Sequence, residues 1–371
     1  DSGSTNTDSQ LKTASDLERY LKQGMINSYN ANSGNVYNDG AVGAVADVAT
    51  PEADSSSDSY SETTTQESGV DEADLVKQNG SYLYAAKQSG YSWYDNSHAT
   101  IEVWQTSGNP VSSQWTTSIG LGNTYSVSGL YLLDQQLAVL GSSGINSDKT
   151  TSTDETSDVS VWGWQDYATD LRLLDTSDPA QPQQQLYWQF EGYLIGSRRI
   201  GNQLYLATRF TPDNWYPWSY GGSTESWQEK VLEAPLTDFL PRVWKNGEAA
   251  GHLYEDGQCY LPDLDTAGGY PGIVSLIRIN LDDPDDWQAS CSSGRLYGIY
   301  ASADAFVLTG YSDTTWDSTR LDWYDLASFS LKASATVPGT LDGSMPSFRL
   351  SETDGLLRVV TSSQNFTFWD D

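Results

Sequence analysis

Five short apolar runs, each launched from a polar turn, recur along this chain, and that recurrence constrains the fold more than any other feature. Gln78-Asn79-Gly80-Ser81 precedes Tyr82-Leu83-Tyr84-Ala85-Ala86, Asp134-Gln135-Gln136 precedes Leu137-Ala138-Val139-Leu140-Gly141, and Gly201-Asn202-Gln203 precedes Leu204-Tyr205-Leu206-Ala207-Thr208. Ser302-Ala303-Asp304 leads into Ala305-Phe306-Val307-Leu308-Thr309, and Thr353-Asp354-Gly355 into Leu356-Leu357-Arg358-Val359-Val360. A second hairpin with an acidic or proline turn follows each of the complete units. Examples are Ile101-Glu102-Val103-Trp104 before Gly108-Asn109-Pro110, Leu171-Arg172-Leu173-Leu174-Asp175 before Ser177-Asp178-Pro179, and Leu276-Ile277-Arg278-Ile279 before Asp282-Asp283-Pro284. Leu321-Asp322-Trp323-Tyr324-Asp325 before Ala327-Ser328 completes the set. Short runs of apolar and aromatic residues bounded by turn residues are strand signals. From Tyr84 to Val139, Leu206, Leu308 and Val359 the intervals are 55, 67, 102 and 51 residues.

Two hairpins make a four-stranded unit, and a base period of about 50 residues with insertions is the pattern of propeller blades. A β-sandwich also contains short irregular strands but predicts no two-hairpin repeat. The expected fold is all-β, a β-propeller with four complete four-stranded blades between about Leu75 and Val337 and a partial fifth around Ser347 to Val360. The last blade then has only Asn365-Phe366-Thr367-Phe368-Trp369 to draw on. The expected organisation is an N-terminal segment over 1–68 and the propeller over 69–371, incomplete at its C-terminal side.

Two intervals are stretched. The longer holds an insertion, roughly 211–271, dense in Trp, Tyr, Pro and Gly, and the other a Ser/Thr/Asp tract over 142–160 that reads as a mobile surface loop. Ahead of the repeats, Ser15-Asp16-Leu17-Glu18 has the spacing of a capping box, predicting a helix from Ser15 to about Gln23 with Leu17, Tyr20 and Leu21 on one face and Gly24 as its stop. From Asn27 to Ser68 the composition turns to Ser, Thr, Asp, Ala and Gly, a linker or a surface-crawling strap.

Charge and composition exclude several functions. Nineteen Lys and Arg stand against 50 Asp and Glu, a formal net charge of −31, so polyanionic nucleic acid is not an expected partner. No run of about 18 apolar residues is present to span a bilayer. Two histidines, His98 and His252, cannot form a three-histidine zinc site, nor can two cysteines form a four-cysteine one. Fourteen Trp, 23 Tyr and eight Phe are enough for a substantial core. The Asp-heavy surface with few Lys is that of a secreted or salt-exposed, halophilic-like protein, where screening limits self-repulsion. The first residue is Asp1 rather than Met, which reads as a processed or trimmed product.

Candidate chemistry is sparse. Asp71, Glu72 and Asp74 put three carboxylates within four residues, a density suited to Ca²⁺; the alternative, which the spacing favours, is that Asp71 and Asp74 cap backbone amides in a turn. No other cofactor is expected. The Asp-rich turn at Asp282, Asp283, Asp285 and Asp286 reads as solvated. Cys259 and Cys291 are the only thiols, and a lone pair in an exported protein is expected to bridge, pinning the insertion to its blade, unless both are separately buried. Trp215, Tyr216, Trp218 and Tyr220, with Trp227 nearby, are interleaved with Pro and Gly; they can stack on a sugar or clamp a partner, or form the insertion's own small core. Neither histidine sits beside a nucleophile motif such as Gly-x-Ser-x-Gly, so no catalytic residue is assigned.

The run Gly69-Val70-Asp71-Glu72-Ala73-Asp74-Leu75-Val76-Lys77-Gln78-Asn79-Gly80-Ser81-Tyr82-Leu83-Tyr84 resembles the signature opening of a family of secreted prokaryotic β-propeller proteins distantly related to WD-40 repeats. The N-terminal helix, Leu240-Pro241-Arg242, Cys259-Tyr260-Leu261-Pro262 and the strand from Gly355 to Ser362 are similar to it as well. The resemblance implies a propeller and export, with no assigned reaction or catalytic residues. It also implies that the propeller extends past Asp371. The expected protein is therefore an exported, non-catalytic interaction module of the cell envelope or extracellular space, with a protein or glycan partner. The alternatives are a carboxylate-dependent hydrolase of extracellular polysaccharide, which needs only two suitably spaced acids, and a subunit of a surface assembly whose propeller is completed by a second chain.

Overall fold

The computed structural model describes residues 9–32, 66–88, 98–107, 112–145, 167–212, 224–263, 268–312, 317–341 and 346–363. Strand β1 (Ser9–Lys12) and helix α1 (Ala14–Asn32) come first, followed by the short β2 (Val70–Asp71). The first sheet is a four-stranded antiparallel meander, β3 (Val76–Asn79), β4 (Tyr82–Lys87), β5 (Thr100–Ser107) and β6 (Ser112–Gly120). The second meander is β7 (Thr124–Leu133), β8 (Gln136–Gly144), β9 (Tyr167–Asp175) and β10 (Gln183–Glu191). Strands β11 (Tyr193–Ile200) and β12 (Gln203–Phe210) open the third.

The insertion lies between β12 and the return to the third sheet. It contributes α2 (Thr224–Glu233), a 3-10 turn (Leu236–Phe239), β13 (Arg242–Lys245), β14 (Glu248–His252) and β15 (Cys259–Pro262). The third sheet then resumes with β16 (Ile273–Asn280) and β17 (Trp287–Ser293). The fourth is β18 (Leu296–Ala301), β19 (Ala305–Tyr311), β20 (Ser318–Asp325) and β21 (Ser330–Pro338), and a two-stranded fifth is β22 (Leu350–Thr353) with β23 (Leu356–Val359).

The insertion is not a detached loop. Its hairpin β13–β14 extends the second sheet by pairing with β10, Trp188 opposite Lys245, while β15 lies parallel to β17 and extends the third. Strand β1 then pairs antiparallel with β15, Lys12 opposite Cys259, so the N-terminal segment supplies the outermost strand of that sheet.

Apolar side chains fill the space between successive sheets. Tyr84, Ile101 and Val103 meet Leu130, Leu132 and Val139 between the first and second. Leu171, Phe190, Leu204 and Ile277 lie between the second and third, in one cluster with Leu17 and Leu21 of α1 and Phe239 of the insertion. Tyr205 and Leu276 face Phe306 and Leu308 between third and fourth, and Val307 and Leu321 share a cluster with Leu350 between fourth and fifth. Sheets with both faces covered need apolar residues at successive positions, which is why β8 and β19 contain continuous apolar runs, Leu137 to Leu140 and Ala305 to Leu308.

Helix α1 differs from expectation at both ends. The capping pair is Thr13 with Asp16: the Asp16 amide donates to Thr13 Oγ1 at 3.3 Å and the Thr13 amide to Asp16 Oδ2 at 3.3 Å. Gly24 does not stop the helix, which runs to Asn32. A Cβ at Gly24 would overlap the backbone of Tyr270, so the glycine serves close approach rather than termination. Lys22 fastens the helix to the insertion, donating to Glu18 at 2.5 Å and to the Leu232 carbonyl of α2 at 2.8 Å.

Candidate interaction face

A meander alternates its ends, so first-to-second and third-to-fourth turns share one end of a sheet and the second-to-third connection leaves from the other. The tight-turn ends of neighbouring sheets coincide. Asn79 Nδ2 donates to the Asp134 carbonyl at 3.4 Å, joining the first and second sheets, and Arg278 donates to the Leu326 carbonyl at 3.2 Å, joining third and fourth. The link between second and third comes from one extended piece of chain. Strand β2 pairs antiparallel with β11 and Asp74 bridges antiparallel to Leu130 of β7, so β7 and β11 run the same way.

The opposite end therefore carries the second-to-third connections of the four meanders, which span 88–99, 145–166, 211–272 and 312–317. Each is tied at its base to a sheet-to-sheet joint or to the start of the next sheet. Gln88 exchanges two hydrogen bonds with the Val127 backbone at 2.8 and 2.9 Å, and the Gly192 amide donates to the Tyr167 carbonyl at 2.7 Å. Ser293 Oγ donates to the Gly272 carbonyl at 2.5 Å and the Gly339 amide to the Asp317 carbonyl at 2.8 Å.

Trp215, Tyr216, Trp218 and Tyr220 lie outside the described residues, in a segment that leaves this end after β12 and rejoins the structure at α2. Trp227 is described, and it is core. It is 1% exposed and belongs to the apolar cluster of Leu17, Val231 and Phe239, because Trp227 and Val231 stand four residues apart on the face of α2 turned inward. It therefore offers no surface to a partner. Two aromatics that the sequence did not single out are exposed at this end instead, Tyr125 (40%) at the start of β7 and Tyr167 (47%) at the start of β9. In the fourth sheet the Tyr297 and Tyr311 rings touch, with centroids 4.9 Å apart and planes inclined at 45°. The pairing slips at Thr124/Ser126, Leu194/Gly196 and Leu296/Gly298, so three sheets carry a bulge at this rim, two of them at a tyrosine. The only advance signal was position, a Tyr at or beside the first residue of a strand.

The three signature carboxylates are committed to partners within the fold. Asp71 accepts from Lys77 at 3.1 Å through Oδ1 and from Arg199 at 3.1 and 2.8 Å through Oδ2; Glu72 pairs with Arg198 at 3.2 Å; Asp74 Oδ1 accepts the Val76 amide at 3.3 Å. Asp74 thus caps a backbone amide, as the turn-anchoring alternative has it, whereas Asp71 and Glu72 engage cations instead. Among the described residues no group of three or more His, Cys, Asp or Glu is placed to hold a metal ion. Beside this node, burial pushes the Tyr131 hydroxyl far above its ordinary pKa, and that hydroxyl shares a 2.9 Å hydrogen bond with Ser197.

The turn at 281–286 is not simply solvated. Asp285 accepts from Lys245 at 2.6 and 2.7 Å, the Pro284 carbonyl accepts from Trp188 Nε1 at 3.2 Å, and Asp282 accepts from Asn202 at 2.7 Å, so this acidic turn clamps the third sheet to the second. Cys259 and Cys291 are bridged, with Cα atoms 4.6 Å apart, and the bridge ties the insertion strand β15 to β17. The histidines stand apart in the fold, His98 just before β5 and His252 at the end of β14.

No curated protein matches this chain. The sequence pattern of the β-propeller domain family matches residues 60–370, which takes in the insertion and every strand of the five sheets except β1. Successive antiparallel sheets, packed face to face with their innermost strands aligned, have the matching architecture, and the chain belongs to the β-propeller domain family.

Proposed function

We propose that this chain is an exported, non-catalytic β-propeller that takes a protein or glycan partner on the end bearing its long connections. The observation that carries the reading is the asymmetry of the two ends. The sheets form a rigid base, and the second-to-third connections of all four meanders leave the same side of it. Among the described residues Tyr125 and Tyr167 are exposed there at strand starts, and the sequence that follows β12 carries Trp215, Tyr216, Trp218 and Tyr220. Flat rings with a polar edge suit both sugar stacking and protein contact. The disulfide supports an oxidising compartment, as expected of an exported protein. The charge of −31 favours a neutral or basic partner over a polyanion. In the finer reading the four meanders are complete blades and β22–β23 begins a fifth that further pairing completes.

The test is the double variant Trp215→Ala/Trp218→Ala, with Tyr125→Ala/Tyr167→Ala as a second probe of the same end, compared with the parent on glycan arrays and in pull-downs from the cell surface. The expected result is at least a tenfold loss of captured ligand with circular dichroism and thermal midpoint unchanged. Equal capture by parent and both variants would refute the reading.

A further inference from the structure

The segment ahead of the first sheet touches every other sheet, in reverse order. Gln66 Nε2 donates to the Ser347 and Leu350 carbonyls at 2.7 and 3.1 Å, at the fifth sheet. Glu67 accepts from the Tyr300 hydroxyl of β18 at 2.6 Å, in the fourth. Val70 and Asp71 pair with Ile200 and Arg199 of β11, in the third. Asp74 exchanges backbone hydrogen bonds of 3.3 and 2.7 Å with Leu130 of β7, in the second. Two residues later β3 opens the first sheet at Val76.

The contacted strands β18, β11 and β7 are each the terminal strand of their own meander, and β18 packs on β11 as β7 packs on β3. The segment thus runs along the inner edges of the sheets. Its grip is strongest in the middle, where Asp71 and Glu72 engage Lys77, Arg198 and Arg199. A chain with only 19 Lys and Arg commits three of them to this node, and Lys77 is 3% exposed. Gly129 and Ala73 meet so closely that a Cβ at Gly129 would overlap Ala73, so β7 is fitted to the segment's backbone.

We propose that residues 66–76 are a latch that fastens the fifth sheet to the first across the inner edges of the three between them. Propellers ordinarily close by sharing a blade between chain ends, which removes the free edge. Here, among the described residues, no strand pairs β6 or β23 with another sheet. The latch joins the two ends of the row by a different route. Its hold on the fifth sheet is through Gln66, its continuity with the first is covalent, and the Asp71 node keeps it taut between them. The acidic signature is thereby a closing device, its Asp71 and Glu72 carboxylates held by Lys77, Arg198 and Arg199.

Hydrogen exchange followed by mass spectrometry on the full chain tests this, with each variant read at the end of the latch it does not touch. Asp71→Asn removes the charge at the node; the expected result is at least tenfold faster exchange in 350–359, while 168–175 and 183–191 keep the parent rate. Gln66→Ala releases the far end; the expected result is at least tenfold faster exchange in 76–87. Exchange that quickens only beside the substituted residue in both variants would overturn the proposal. If Asp71→Asn does not fold, Gln66→Ala decides alone: an unchanged rate over 76–87 rejects the latch and a faster one supports it.

Discussion

Two third strands carry the same kind of buried charge with the signs exchanged. In β9, Thr169-Asp170-Leu171-Arg172 places Asp170 where it accepts from Thr124, Ser143 and Tyr187 at 2.5, 2.7 and 3.0 Å, and sets the Arg172 guanidinium 3.6 Å from the Tyr187 ring centroid. In β20, Thr319-Arg320-Leu321-Asp322 makes a two-pronged ion pair, Arg320 to Asp322 at 3.0 and 2.6 Å, with Ser292 and Ser334 filling the remaining acceptor positions at 3.0 and 2.6 Å. A saturated buried pair is tolerated, but removing one partner strands the other, at a cost of about 3–5 kcal/mol. Asp322→Ala is therefore expected to lower the unfolding free energy by about that much, read by urea titration; a loss under about 1 kcal/mol would show that Arg320 finds water instead. Burial also raises the phenols. Tyr84 is pushed up to about 12, and Tyr131, Tyr254 and Tyr324 are pushed higher still by the same cause. A raised tyrosine adds stability that is full below the unfolded value near 10 and is lost as pH climbs toward the folded one. The unfolding midpoint should fall steeply above pH about 10, with tyrosinate absorbance and loss of circular dichroism rising together. Ionisation of these phenols in a chain that keeps its dichroism would contradict this. At the acid side Asp175 and Asp325 are held below the ordinary carboxylate value, chiefly by the Ser177 and Ser328 backbone amides, and their contribution is lost as pH falls.

Among the elements, α1 and the insertion show how packing overrides local preference. Gly24 weakens an isolated helix by about 1 kcal/mol relative to Ala, yet the helix continues because Leu17, Leu21 and Met25 are fully buried against the insertion and sheets. Gly24→Ala should consequently destabilise the protein in spite of the better helix propensity, by about 1–3 kcal/mol, since its Cβ would meet Tyr270 backbone that cannot rotate away. A stabilised variant in thermal melts would sink the close-approach account. The disulfide acts on the same unit. Its closed loop spans 32 residues of separation, for which chain entropy gives about 3–4 kcal/mol. Cys259→Ala/Cys291→Ala should lose about that amount and loosen β15 and β1 before the sheet interior, as seen by hydrogen exchange. Alkylation of the unfolded, unreduced parent should add no label; uptake of two labels would show that no bridge had formed.

For the whole molecule, self-repulsion at a net charge of −31 is the dominant long-range term. Ion pairs such as Lys245 with Asp285 are partly exposed and contribute little individually. Repulsion is screened as the Debye length falls from about 10 Å at 0.1 M salt to about 3 Å at 1 M. The thermal midpoint is expected to rise over that range of NaCl, and to rise less in a variant with a block of surface Asp replaced by Asn. A midpoint that falls with salt would mean that the ion-pair network, the Asp71 node included, outweighs the repulsion.

Strand order, turn positions and the two-hairpin unit were legible in the sequence because they follow from local chemistry. A polar turn at Asn79-Gly80 or Asp354-Gly355, where Gly80, Asp134, Gly201 and Gly355 all take positive φ, dictates a hairpin wherever it falls between apolar runs. The cysteine pair was legible for the same kind of reason, since two thiols allow one intramolecular bridge. Which aromatic residues are core was not. Nothing in the sequence around Trp227 marks it as core, and the packing of α2 against α1 and the rest of the insertion buries it. The continuation of the helix through Gly24 turns on Tyr270, far along the chain, and the carboxylates of the signature turn on Arg198 and Arg199, with Arg199 lying 128 positions after Asp71. Burial and charge pairing are properties of residues brought together by the packing of whole sheets, and no local pattern encodes them. The sequence alone therefore determined the repeat and its family, and tertiary structure decided that the acidic signature crosses the inner edges of the sheets with Asp71 and Glu72 paired to Arg199 and Arg198 of a distant strand.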